Sequence, residues 1–468
     1  MALAHTTFSF FKVLAAKDTI VALSTPPGRS GIGVIRLSGP ESLPLARKLL
    51  DSPSFEPEPN RAVLRTIREP ESRTELDHAL ITYFKAPYSY TGEDVVELSC
   101  HGSPPLLMRV IDILLASGAR PAEAGEFTLR SVANKRLNLS QAEAVRDLIE
   151  ARTRAAVRQA ARQLGGELSA RLQPFKGALV DIIVFLESSL EFVEEDLPTD
   201  LIEGAGLKLS GLVTDLERLA ATFQTGRLLK EGVRVTLVGR PNVGKSSVFN
   251  MLIGYERSIV TEFAGTTRDT VGEVLNIGGI QVHLTDTAGI RVASDVIEQL
   301  GIERTMRAVN DADFTILVID GTVPISEEEE SFLRDTSSGR LIVAINKSDL
   351  PGYNPSSLQF GANDYPVLEI SARTGTGLDE LRALIAAQFL GESSNYDDFV
   401  ITNSRHYDLL LRAAEVVRES QGLLAQRAGE ELVLIGLYAG LKYLGEITGA
   451  TTSDEILGQI FSTFCIGK

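Results

Sequence analysis

The octapeptide Gly239-Arg240-Pro241-Asn242-Val243-Gly244-Lys245-Ser246 limits what this chain can fold into more than any other feature. It satisfies G-x-x-x-x-G-K-[ST], follows the apolar run 233–238 and precedes a helical stretch at 247–253. A strand must feed the loop and a helix must leave it. Successive backbone N–H groups can then curl around phosphates, and the helix N-terminus adds partial positive charge. Lys245 is placed for the β- and γ-phosphates of a nucleotide, and Ser246 for Mg²⁺. Further short apolar runs at 314–319, 341–345 and 367–370, separated by helical spacers, predict a doubly wound, mostly parallel sheet.

The motifs downstream select the base. Asp286-Thr287-Ala288-Gly289 follows a strand-like run, so Asp286 can reach the metal through water and the Gly289 N–H can sense a γ-phosphate. Asn346-Lys347-Ser348-Asp349 follows a buried strand. A carboxylate there can accept from both N1–H and the 2-amino group of guanine, donors that adenine lacks. Ser371-Ala372-Arg373 follows the last strand and suits a backbone contact to the guanine oxygen. Together these motifs predict a GTP site comprising Asn242, Val243, Gly244, Lys245, Ser246 and Ser247, the loop Thr261–Thr267, Asp286–Gly289, Asn346, Lys347, Asp349 and Ser371–Arg373.

Between the first two motifs lies Thr261-Glu262-Phe263-Ala264-Gly265-Thr266-Thr267, where Thr267 is the candidate for a second hydroxyl on Mg²⁺. Small signalling GTPases carry a water-orienting glutamine directly after the DxxG glycine. Here that residue is Ile290, so a partner or an ion must supply the missing electrostatics. Asn242, with carbonyls around Thr261, Phe263 and Thr266, can surround a monovalent cation; by itself, an asparagine there is a turn former.

The remaining chain is organised around this module. A length of 468 residues suggests about three domains. Residues 18–133 read as strand-rich, with β-type runs at 19–23, 33–37 and 95–100 and a helix at 105–117. From 139 to 223 the period turns helical, with a capping-box pattern at Ser140-Gln141-Ala142-Glu143 and apolar faces at Leu172, Phe175, Leu179, Leu186, Leu190 and Val193 and at Leu209, Leu212, Leu216, Leu219 and Phe223. The helical period returns after 395. The expected boundaries are 1–135, 136–231, 232–391 and 392–468: a helical domain interrupted by an inserted α/β domain. Lys+Arg is 46 against Asp+Glu of 62, a net charge of −16, so any nucleic-acid contact must be local. Two cysteines, Cys100 and Cys465, exclude a disulfide framework. No membrane or export segment is expected, and a cytoplasmic location is.

Over nearly its whole length the chain resembles the tRNA modification GTPases known as MnmE or TrmE. The resemblance rests on Thr25-Pro26-Pro27-Gly28-Arg29, Tyr90-Thr91-Gly92-Glu93-Asp94, Gly125-Glu126-Phe127-Thr128, Leu139-Ser140-Gln141-Ala142-Glu143-Ala144, Gly265-Thr266-Thr267-Arg268-Asp269 and the terminal Cys465-Ile466-Gly467-Lys468. It implies an N-terminal folate-binding domain that forms a homodimer, a long-helix bundle and an inserted Ras-like G domain. It implies a GTP hydrolase that helps to add a carboxymethylaminomethyl group to C5 of the wobble uridine of certain tRNAs. A flavin- and NADH-dependent partner protein would join it in a heterotetramer. K⁺-dependent pairing of G domains would stand in for an activating protein. By motif position, Asn242, Thr261, Phe263 and Thr266 would surround K⁺, Ser246 and Thr267 would bind Mg²⁺, and Glu298 would match the water-organising carboxylate; read by itself, Glu298 is a helix-surface residue.

The resemblance also carries a tetrahydrofolate site, for the 5-formyl or 5,10-methylene derivative, onto Arg36, Glu97, Arg136 and Lys468. Some relatives have Lys where this chain has Arg136, which keeps the charge and changes the geometry. Cys465 is either a catalytic thiol beside Lys468 or a small buried hydrophobe. His101 reads as structural. Arg154, Arg158 and Arg162 form an i, i+4, i+8 stripe, either a solvated face or a contact for tRNA phosphates. Rival readings are a GTP-switched RNA or ribosome assembly factor, which needs neither the folate-type motifs nor the terminal Cys-Ile-Gly-Lys, and a folate-dependent one-carbon transferase regulated by GTP.

Overall fold

The structure, a computed structural model, describes residues 18–50, 52–191, 199–257, 272–278, 280–286, 309, 312–336, 340–355, 365–389, 398–450 and 454–467. The chain divides into two compact units. One comprises Met1–Ile149, Ala161–Val213 and Arg412–Lys468; the other comprises Glu150–Ala160 and Thr214–Leu411.

The first unit opens with a six-stranded sheet built from β1 (Ile20–Leu23), β2 (Ser30–Ser38), β3 (Ala62–Arg68), β4 (Glu75–Phe84), β5 (Val95–Gly102) and β6 (Arg120–Pro121). Their order is β3-β4-β5-β2-β1-β6. All pairs are antiparallel except β1 with β6. Strands β3 and β4 are not among the runs read from the sequence. Helices α1 (Ser42–Leu49) and α2 (Pro104–Ala116) cover one face through Leu45, Leu49, Leu107, Val110 and Leu114, packed on Ile35, Leu37, Ile81 and Leu98. Burying one face of an antiparallel sheet is what alternating patterns provide.

Helix α3 (Glu126–Ala133) carries Arg130, whose side chain is 1% exposed. Its guanidinium meets Asp18 at 2.6 Å, Glu126 at 2.9 Å and Glu93 at 3.0 Å, while Arg120 also binds Asp18 and Glu126. Ser131 Oγ donates to the Tyr90 carbonyl, and Asn134 Nδ2 to that of Thr91. Thus the Tyr90–Asp94 and Gly125–Thr128 motifs form the two sides of one buried ionic knot. Burial alone would push the Asp18 and Glu126 carboxyls up; the arginine hydrogen bonds and charges outweigh it, and both lie below their ordinary values of 3.8 and 4.5. Their stabilisation is therefore complete above the ordinary carboxylate range and is lost as pH falls through the lowered folded values. Arg130→Met leaves buried carboxylates uncompensated and is expected to destabilise this unit by about 3–5 kcal/mol in urea unfolding. An unchanged midpoint would show the knot to be energetically idle.

The helical part of this unit contains α4 (Leu139–Glu150), α6 (Glu167–Glu191), α13 (Glu430–Thr448) and α14 (Asp454–Ser462). The N-terminus of α4 lies two residues before the expected box. Asn138 Oδ1 accepts from the Gln141 N–H at 2.9 Å, and Gln141 Oε1 accepts from the Asn138 N–H at 3.0 Å. Asparagine caps at least as well as serine, and Ser140 is instead buried, donating to Asn138. Helix α6 packs along α13, burying Leu172, Leu179, Leu186, Leu437 and Leu444. Phe175 on the expected apolar face is half-buried; Leu190 lies among residues whose side chains fall outside the description, and Val193 lies outside the described residues.

The second unit holds β7 (Val233–Val238), α9 (Lys245–Arg257), β8 (Gly272–Ile277), β9 (Ile280–Asp286), β10 (Phe314–Asp320), α10 (Glu327–Asp335), β11 (Leu341–Asn346), β12 (Val367–Glu369) and α11 (Leu378–Phe389). The strand order is β12-β11-β10-β7-β9-β8, with every pairing parallel except β8 with β9. Strands β10 and β11 are buried along their whole length, as two-sided helical cover requires. This is the doubly wound sheet that the sequence predicts, and the fold as a whole is multidomain α/β and α+β. Helix α5 (Arg154–Leu164) carries the arginine stripe, α7 (Thr199–Ala221) and α8 (Phe223–Glu231) lead into β7, and α12 (Ser404–Ala425) precedes α13. Among the described residues, no helix is long and apolar enough to cross a membrane.

Candidate functional site

The phosphate loop leaves the carboxyl end of β7 and enters α9. Gly239 has φ 145°, and a Cβ there would lie 2.2 Å from the Val318 carbonyl of β10. Gly244 has φ 101°, and a Cβ there would lie 2.3 Å from Asn346 Nδ2. Both glycines are required by left-handed backbone and by a neighbour. Asn242 adopts φ 66°, a conformation that asparagine tolerates best among residues with a Cβ. Lys245 is 8% exposed as a residue, and its ammonium donates to the carbonyls of Gly239 at 2.7 Å and Arg240 at 2.8 Å. Ser246 and Ser247 sit exposed on the first turn of α9.

Asn346, at the end of β11, ties three loops together. Its Nδ2 donates to the Val243 carbonyl at 2.9 Å, and its Oδ1 accepts from the Ala372 N–H at 3.0 Å. Within the Ser371-Ala372-Arg373 segment, the Ala372 N–H is thus engaged by Asn346. Lys347 takes φ 71° and its Nζ meets Asp320 Oδ2 at 2.5 Å. Burial would raise the Asp320 carboxyl, but the Lys347 and Thr322 hydrogen bonds hold it below its ordinary value. Asp349 is exposed, and its Oδ1 accepts from Ser371 Oγ at 2.7 Å. Arg373 lies in the turn after β12. The arrangement sets a hydrogen-bonded Asn-Lys-x-Asp corner beside the glycine-kinked loop, at the carboxyl edge of the sheet. Asp286 closes β9, while Thr261, Glu262, Phe263, Ala264, Gly265, Thr266, Thr267, Thr287, Ala288, Gly289 and Glu298 lie outside the described residues.

A second cluster lies on the N-terminal sheet. Arg36 of β2 sits opposite Glu97 of β5 in register, and its Nε and Nη2 both reach Glu97 Oε1, at 2.8 and 2.7 Å. The Arg36 guanidinium lies 5.6 Å from the Tyr90 ring centre and 5.7 Å from that of Phe127. Arg136 follows α3, its Cγ bordering the Gly92 position. The C-terminal tail folds back here. Phe461 and Phe464 pack on Leu129, Leu139 and Ala142, Arg146 Nη1 bonds Thr463 Oγ1 at 2.5 Å, and Ile466 bridges Ala124. Ser24 Oγ donates to the Gly467 carbonyl at 3.1 Å, at the end of β1, where Leu23 pairs with Ile35 and Ala22 with Arg36. Cys465 is exposed, which removes the buried-hydrophobe reading. Lys468 lies outside the described residues. His101 Nδ1 binds Asp77 at 2.6 Å, a structural pairing. In the arginine stripe, Arg162 is ion-paired to Glu167 at 2.6 Å, while Arg154 and Arg158 are exposed.

Sequence reasoning missed Arg130 with its carboxylates, and the bond between Arg240 and Glu329 at 2.9 Å. For Arg240 the available signal was a charged residue inside the phosphate loop; for Arg130 it was Glu126 four residues earlier on the same helix.

A glycine-kinked loop between a buried parallel strand and a helix, with its lysine folded onto the loop carbonyls and an Asn-Lys-x-Asp corner at the neighbouring strand end, defines a P-loop nucleotide-binding protein of the guanine-reading kind. Comparisons with known proteins agree. A family profile described as "MnmE helical domain" matches residues 139–465, and one described as "GTP-binding protein TrmE N-terminus" matches 19–136. Curated relatives named tRNA modification GTPase MnmE include one from Koribacter versatilis, 43% identical over 96% of this chain and 99% of that protein. Others are from Aquifex aeolicus, 41% identical over 97% and 100%, and Natranaerobius thermophilus, 38% identical over 97% and 100%. The chain belongs to the MnmE family of tRNA modification GTPases.

Proposed function

We propose that this chain hydrolyses GTP on the Gly239–Ser246 loop and uses the resulting change of shape to drive modification of the tRNA wobble uridine. The observation that supports this most directly is the tail. Cys465 and Ile466 run beside Gly125 and Ala124, and Gly467 is bonded to Ser24 just past β1, two register positions from the Ala22–Arg36 pair, so the terminal motif and the Arg36–Glu97 pair border one edge of a sheet in a chain that also carries a phosphate loop. An assembly factor needs no such arrangement.

In this reading, Lys245 and the α9 N-terminus hold the β- and γ-phosphates, and Asp349 accepts from the guanine edge. Ser246 and Thr267 would hold Mg²⁺. Asn242, Thr261, Phe263 and Thr266 would surround K⁺, and Glu298 would orient the attacking water. The left-handed backbone at Asn242, which leaves its side chain exposed at the loop apex, fits an ion-ligating role. The two ions supply positive charge against the developing negative charge at the β–γ bridge. Replacing Na⁺ by K⁺ is expected to raise GTP turnover; equal rates in both salts would discard the cation.

The Arg36–Glu97 pair, half-buried and walled by Tyr90 and Phe127, suits a flat heterocycle, with Arg136 and Lys468 available for a carboxylate tail. A tetrahydrofolate would bring a one-carbon unit there, near the exposed Cys465. The proposal extends to a cytoplasmic homodimer, with G domains pairing across it, joined by a flavin- and NADH-dependent protein in a heterotetramer that adds the carboxymethylaminomethyl group. The exposed arginines of α5, Arg154 and Arg158, are candidates for tRNA phosphates. Nucleoside analysis of tRNA with and without the gene tests the whole reading: the modified wobble uridine is expected to vanish without it. Fully modified tRNA in its absence would overturn the proposal.

A further inference from the structure

We infer that Glu329 is a positioning residue for GTP turnover, acting through Arg240 to hold the phosphate loop around Lys245. This rests on the proposed seat of the triphosphate on that loop. Arg240 is the loop's second residue, and its carbonyl is one of the two that fix the Lys245 ammonium. Its side chain leaves the loop. Nε donates to Glu329 Oε1 at 2.9 Å, and Nη2 approaches the Pro324 carbonyl at 3.4 Å. The Glu329 side chain is 3% exposed and that of Arg240 is 31% exposed. A carboxylate so buried persists only when paired, and Arg240 supplies the charge.

The other Glu329 oxygen has a different task. Oε2 accepts from the Ser326 N–H at 3.0 Å, while Ser326 Oγ accepts from the Glu329 N–H at 3.3 Å, which is the capping box of α10. One carboxylate thus pins the start of α10 and the first turn of the phosphate loop. Lys347 grips Asp320 at the other end of the short β10–α10 connection. That connection is fastened to the Asn-Lys-x-Asp corner at one end and to the phosphate loop at the other. With Arg240 loosened, the first turn of the loop is released and its backbone N–H groups no longer form one cradle for the phosphates, while the Gly239 carbonyl still holds Lys245. Phosphate contacts common to the ground and transition states then weaken, and the loss falls on KM.

The experiment uses the full chain with K⁺ and Mg²⁺ present. Glu329→Gln keeps the capping box, because glutamine serves equally at that position, but deletes the charge facing Arg240. Arg240→Ala deletes the same pair and touches no cap. Each is expected to raise the KM for GTP about tenfold with kcat changed less than about threefold, and the double variant to be no worse than either single one. Ser326→Ala, which weakens the cap and leaves the ion pair, should lower Tm and leave KM at the parental value. Should Arg240→Ala not fold, Arg240→Lys replaces it with the same KM rise expected, since lysine lacks the Nε geometry. A parental KM in Glu329→Gln, additive KM effects in the double variant, or a KM rise in Ser326→Ala equal to the others would each overturn the inference. A Lys245→Ala protein that still hydrolyses GTP at the parental rate would instead overturn the seat itself.

Discussion

Lys245→Ala is expected to bring GTP hydrolysis down by at least about 10²–10³-fold, the scale on which removing one pre-aimed charge or donor lowers kcat. The reason is geometric. The ammonium is held at 2.7 and 2.8 Å by two loop carbonyls before any nucleotide is considered, so it is aimed rather than recruited. Alanine at this position leaves the loop's amide groups and the α9 N-terminus in place, so part of the binding survives while the charge opposite the β–γ bridge does not. The check is phosphate release under saturating GTP, alongside Tm to confirm folding. Turnover at the parental rate would remove the loop from the chemistry.

Asp349→Asn is expected to destroy base selectivity. A site that hydrogen-bonds two donors on one base can reject a base lacking them by roughly 10⁴-fold. Ser371 Oγ fixes one Asp349 oxygen at 2.7 Å, so the carboxylate is pre-oriented and its replacement has no soft neighbour to compensate. An amide presents a donor where guanine also presents donors. The ratio of kcat/KM for GTP over ATP should fall by at least about 10²-fold. An unchanged ratio would take Asp349 out of the base site. Ser371→Ala should give a smaller change in the same direction, since it frees the carboxylate without removing it.

The nucleotide module was legible because each signal was local. β10 and β11 are continuous apolar runs, the mark of strands covered on both faces, and the glycines of the loop announce left-handed turns directly. Legibility failed wherever partners come from distant segments. β3 interleaves charged and apolar residues on a mostly exposed ribbon, so no apolar run marks it; β4 does carry a run, Ala79-Leu80-Ile81-Thr82-Tyr83-Phe84, but Asp77 and His78 precede it and only the fold shows that Ala79, Ile81 and Tyr83 share the core face. The helix start near residue 139 was placed two residues late, because Asn138 and Ser140 are both good caps and only tertiary packing, which buries Ser140, decides between them. Arg130 reads as a surface charge, yet it is locked by carboxylates at positions 18, 93 and 126 that only the fold brings together. The arginine stripe shows the converse: a regular pattern on paper, with Arg162 already committed to Glu167.

The bond from Ser24 to Gly467 spans 443 positions. A ribosome making this chain releases the first sheet long before the peptide that latches onto its β1 margin exists. Closure across such a separation is slow relative to the local hairpins, which form first and wait. The β1 margin beside Ser24 is therefore completed last, after the nucleotide-loop module between the two halves has had time to fold, and the newborn protein passes through a stage with that module formed and the N-terminal sheet unlatched.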